Sequence, residues 1–169
     1  MPRTYEPIAS TTLGTASGTI SFDSIAATWT DLVLVLNFGV ATAGPTIRLR
    51  FNDDSGSNYS YTYLGGNGTS ASSSRQSSQT SGSIGLNVAG AATGTENVVV
   101  AHIMSYANTN VFKTVLGAGA AASREADRVV SLWRSTSAIT KVTVSPGGSF
   151  PTYNFNSGAT ASLFGLKAA

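Results

Sequence analysis

The sequence has no cysteine, a single histidine and only 11% charged residues. Without cysteine there can be no disulfide, no thiolate nucleophile and none of the common structural zinc sets, although the redox compartment stays open. One histidine, His102, rules out a histidine pair on a metal within one chain. A serine-hydrolase triad would need that same residue as its base, and no G-x-S-x-G elbow accompanies it. His102 shares strand parity with Val98, Val100 and Met104, so it reads as a partly buried, hydrogen-bonded strand residue. Charge is scarce beside the roughly 25% of ordinary soluble domains, which leaves serine, threonine, asparagine and glycine to cover the surface. Long apolar stretches are missing as well. Nothing approaches the roughly 20 residues of a membrane span, and the start MPRTYEPIAS does not resemble a secretion signal. Lysines and arginines are scattered, and a net charge of +2 leaves no clustered basic footprint. Neither nucleic acid nor a membrane is an expected partner.

What the chain does have is a rhythm. At 169 residues it fits one domain, 1–169, with enough buried surface for a core. Short apolar or alternating runs recur between turn residues: YEPIASTTL, GTISFDSI, WTDLVLVLNFG, PTIRLRF, YSYTYLG, SIGLNV, NVVVAHIMSY, FKTVLGA, RVVSLWR, AITKVTV and ASLFGLKA. That spacing predicts an all-β fold, an antiparallel β-sandwich. Ala126, Val129, Val130 and Trp133 also fit a helical face, but the run is short and β-branched at its centre, so a strand is expected there. Leu32 to Leu36 is unbroken apolar where a strand with one wet face should alternate, which predicts cover on its outer face by a loop or a neighbouring subunit. Gly65 to Ser83, GGNGTSASSSRQSSQTSGS, is polar and of low complexity, and it is longer than compact domains usually leave structureless. It reads as a long surface loop or as an arm that orders against a partner.

The richest stretch chemically is RLRFNDDSGSNYSYTYLGG, Arg48 to Gly66. Asn52, Asp53, Asp54 and Ser55 carry oxygens that could hold calcium, but they lack the alternate carboxylates and distal glutamate of an EF-hand loop. The same residues make tight turns, the reading preferred here. A hairpin turning at Ser55 would pair Phe51 with Tyr59, Leu49 with Tyr61 and Ile47 with Tyr63, burying all three tyrosines. Shifting the register by one residue would instead set Arg48 and Arg50 beside Tyr61 and Tyr63 as an outward, sugar-stacking platform. Ile47, Leu49 and Phe51 need core partners, which favours the first register. Glu125 and Asp127 lie between Arg124 and Arg128, as in a self-neutralising loop or a subunit contact. Arg75, inside the polar segment, is a further candidate contact. A carboxylate pair for glycoside cleavage has no sequence signature, and no phosphate-binding glycine motif opens a helix.

Taken as a set, TYEPIASTTLG, WTDLVLVLN, IRLRFNDDSGSNYSYTYLGGNG, WRSTSAITKVTV and GATASLFGLKAA resemble a family of small bacteriophage virion proteins, found as tail-fibre or head-decoration components. The resemblance runs nearly end to end and rests on strands and turns. It implies a jelly-roll-like sandwich on the phage particle, without catalytic residues, enzymatic activity or cofactor. Strands are expected almost from Met1 to Ala169, which leaves no shaft and favours a head decoration or cement protein. The expected partners are copies of the chain, as a trimer, and the major capsid protein or other virion proteins. The alternative is a fibre module recognising a host-surface glycan through Arg48, Arg50, Tyr61 and Tyr63.

Overall fold

The computed structural model describes residues 5–40, 46–86, 97–121, 125–147, 150–151 and 153–167. These form twelve strands: β1 (Tyr5–Thr12), β2 (Ile20–Phe22), β3 (Asp31–Phe38), β4 (Thr46–Phe51), β5 (Tyr59–Gly66), β6 (Ala71–Gln79), β7 (Gly82–Leu86), β8 (Asn97–Met104), β9 (Lys113–Ala121), β10 (Glu125–Trp133), β11 (Val142–Pro146) and β12 (Thr160–Leu166). They make two antiparallel sheets. Eight strands run in the order β1-β12-β3-β8-β9-β10-β5-β6, and four in the order β2-β11-β4-β7. The protein is an all-β antiparallel sandwich, as the rhythm of apolar runs predicts.

Side-chain alternation explains how the sheets meet. Leu32, Leu34, Leu36 and Phe38 of β3 point inward with Val99, Ala101 and Ile103 of β8 and with Ala161 and Leu163 of β12. From the smaller sheet Ile47, Leu49, Phe51, Val142 and Val144 answer them. At one end of this core Phe51, Tyr59 and Trp133 pack together, with the Tyr59 and Trp133 rings stacked at 6.3 Å. The Tyr59 hydroxyl accepts the Phe51 N–H at 3.0 Å, and burial pushes its phenol pKa upward. The segment with a helical period is strand β10, because its inward residues Val129, Ser131 and Trp133 serve the sheet period of two.

Two expectations are corrected. The β4–β5 hairpin does not exist: β4 pairs with β11 and β7, and β5 pairs with β10 and β6, so Asn52 to Asn58 carries the chain from one sheet to the other. The segment 65–83 is not a long loop. Its middle is β6, a nine-residue edge strand hydrogen-bonded to β5 and exposed along almost all its length, and its end enters β7 in the other sheet. On the outer side of Leu32 to Leu36, Val33 is buried between its cross-strand neighbours Phe164 and His102, and Val35 is half-buried.

Candidate functional site

The Asn52–Ser55 cluster is a folded turn in which side-chain oxygens of Asn52, Asp53 and Asp54 accept protein donors. Asn52 and Asp53 sit at φ 51° and 58°, the left-handed region that asparagine and aspartate enter at low cost. Asn52 Oδ1 accepts the N–H groups of Thr140 and Lys141 at 2.9 and 3.1 Å. Asp54 takes the Trp133 indole N–H at 2.6 Å and the Gly56 N–H at 2.8 Å, while Asp53 pairs with Lys141 at 3.0 Å. Among the described residues no group of three or more His, Cys, Asp or Glu converges.

The proposed sugar platform is not on the surface. Arg48, Tyr61 and Tyr63 are buried, and the Arg48 guanidinium carbon lies 5.1 Å from the centre of the Tyr61 ring. The predicted cation–π pair therefore exists, but between the two sheets rather than across a hairpin. Arg50 is half-buried and lies over Phe150 at 4.4 Å, away from that pair. Tyr63 bonds to Ser72 and donates to Glu125 at 3.4 Å.

Nor do Glu125, Asp127 and Arg128 lie in a loop: they belong to β10. Alternation along β10 sends Asp127 and Glu125 inward and Arg128 outward, where its guanidinium donates to the Asp127 carbonyl at 3.2 Å. Arg124 lies outside the described residues. Arg75 stands exposed on edge strand β6, opposite Thr62.

The surface that sequence reading missed is the outer face of the larger sheet. Successive pairings align Phe164, Val33, His102, Leu116, Val130, Thr62 and Arg75 in one row across it. The next row aligns Val35, Val100, Ala118, Arg128 and Leu64. Leu64 is 61% exposed, Val130 49%, Leu116 44% and Val100 39%. Each was visible as an outward residue of its own strand, but only the strand order brings them together. His102 sits in this face, its Nε2 3.0 Å from Asp31 Oδ2, as a hydrogen-bonded strand histidine.

No family model matches the chain, and no curated protein matches it. Among solved structures it is similar to an alginate lyase, over 95% of this chain and 79% of that one, at 10% identity and a TM-score of 0.38. The expectation that the chain is not an enzyme is overturned by this neighbour, an enzyme, and is withdrawn. At that TM-score the likeness assigns neither an activity nor a substrate here.

Proposed function

We propose that this chain is an assembly subunit. It joins copies of itself through the outer face of the eight-stranded sheet and, in the setting the sequence resemblance implies, decorates and strengthens a bacteriophage head as a trimer bound to the capsid protein. The observation that supports this is the apolar band across β3, β8, β9, β10 and β5. Five strands about 4.8 Å apart and seven residues long make a patch of roughly 500 Å². That is as large as the biggest apolar patches of typical monomers, which are themselves often functional. A standard interface takes about 800 Å² per partner, with an apolar centre and a polar rim. The band suits the centre, and the serine-rich β6 on one flank, with Thr160 and Ser162 of β12 on the other, suits the rim. Few charges interrupt it, so a neighbouring copy docked on it meets no dense like-charge field.

Sedimentation tests the reading directly. The purified protein should travel as an assembly of several 17.3 kDa chains, and particles lacking it should release DNA more readily on heating. A chain that stays monomeric at high concentration, from particles that keep their stability but no longer adsorb to cells, would replace this reading with the fibre one.

A further inference from the structure

Where β3 begins and β8 stops, Trp29, Thr30, Ser105, Asn108, Thr109 and Asn110 surround an open cleft of about 420 Å³. That volume is within the usual range for small-molecule sites. None of its lining residues is charged. Trp29 forms part of one wall. Its ring lies against Gly165, where a Cβ would overlap it, and its Nε1 donates to Glu6 Oε2 at 3.0 Å. The Trp29 main-chain N–H donates to the hydroxyl of buried Tyr106 at 3.2 Å.

The opposite wall is the turn that follows β8, and it too is held from behind. The Ser105 N–H donates to Asp31 Oδ1 at 2.6 Å, and the Asn110 N–H donates to Asn108 Oδ1 at 2.8 Å. Beneath it, the fully buried Lys113 ammonium donates to the carbonyls of Asn108, Val111 and Thr136 at 2.6, 2.7 and 3.2 Å. Both walls are therefore fixed before any ligand arrives, which lowers the ordering cost of binding. Asn108, Thr109 and Asn110 line the cleft and are exposed, so their amides and hydroxyl are open to a ligand.

We propose that this cleft binds a neutral sugar residue of a glycan chain. An indole beside several amides and hydroxyls matches a pyranose, whose C–H face stacks on an aromatic ring while its hydroxyls exchange hydrogen bonds with carboxamides. No cationic side chain lines the cleft, with the Lys113 ammonium beneath its turn and Lys167 paired with Glu6 at 3.4 Å, so an anionic sugar finds no direct ion-pair partner in the lining. The site is at the end of the sandwich and does not depend on the assembly reading.

The test is titration calorimetry with maltohexaose, mannohexaose and a galactan tetrasaccharide, with oligomannuronate as the anionic comparison. At least one neutral probe should bind saturably and more tightly than the anionic one. Its affinity should fall about tenfold in Asn110→Ala, the loss of one or two hydrogen bonds, and further in Trp29→Ala. The chain has two tryptophans and Trp133 is buried, so binding should also change the fluorescence of the wild type through Trp29. Asn110 is exposed, so its variant keeps the test valid if Trp29→Ala fails to fold. No saturable binding of any neutral probe, affinity unchanged in Asn110→Ala, or preference for the anionic probe would each overturn the proposal.

Discussion

Asp54 joins the turn after β4 to the core, because its carboxylate accepts the indole N–H of Trp133 as well as donors from its own turn. Burial alone would raise its pKa. The hydrogen bonds from Trp133, Asn58 and Gly56, with the charge of Arg50, outweigh that and hold it below the ordinary 3.8. A carboxyl whose folded pKa is depressed adds stability that is fully present above its unfolded pKa and is lost as pH falls toward the folded value. Urea midpoints should therefore drop as pH falls below about 4. Asp54→Asn should cost about 1 kcal/mol at neutral pH and flatten that acid limb. Its neighbour Asn52 uses its oxygen on the main chain of Thr140 and Lys141, so the turn is held by protein donors. EDTA should leave the melting temperature unchanged, and calcium should not raise it. A calcium-restored loss of stability would return this turn to the candidate metal sites.

Among the strands, β7 and β6 show two ways of managing an edge. β7 is the outer strand of the small sheet, and its main chain is met by a side chain of the opposite sheet: Ser131 Oγ accepts the Ser83 N–H at 3.0 Å and donates to the Ser83 carbonyl at 2.5 Å. That approach requires Gly117 on β9, where a Cβ would overlap the Ile84 carbonyl. Gly117→Ala should destabilise by about 1–3 kcal/mol, read as a shift in urea midpoint, because backbone rather than a flexible side chain must move. Strand β6 is exposed instead, and Arg75 at its middle is its one charge. A two-fold antiparallel pairing of β6 edges centred there would set Arg75 against Arg75, which opposes uncontrolled edge-to-edge growth. Arg75→Val should leave the melting temperature within about 0.5 kcal/mol-equivalent of wild type while speeding aggregation measured by light scattering.

At the scale of the whole molecule, the larger sheet has one face packed on the core and one facing outward with Leu116 and Val130 adjacent across β9 and β10. Leu116→Asp puts a charge at the centre of this band without touching the inner face. The variant should keep the β-sheet circular dichroism spectrum and sediment as a 17.3 kDa monomer. A variant that still assembles like the wild type would move the contact to another surface.

The positions of the apolar strands and the facing of their residues were legible in the chain because both follow from alternation, which is local. Tyr59, Tyr61 and Tyr63 point inward and His102 outward, as their parity requires. Alternation does not say which strand lies beside which. Nothing within Arg48 to Tyr63 shows that β4 and β5 belong to different sheets, so the Arg48–Tyr61 contact could be anticipated but not its burial. Strand β6 was invisible because it is solvated on both faces and has no apolar period, and its hydrogen bonds to β5 are what make it a strand. The Trp29 cleft, too, joins residues some eighty positions apart, and they meet because antiparallel pairing of β3 with β8 brings the start of one strand to the end of the other.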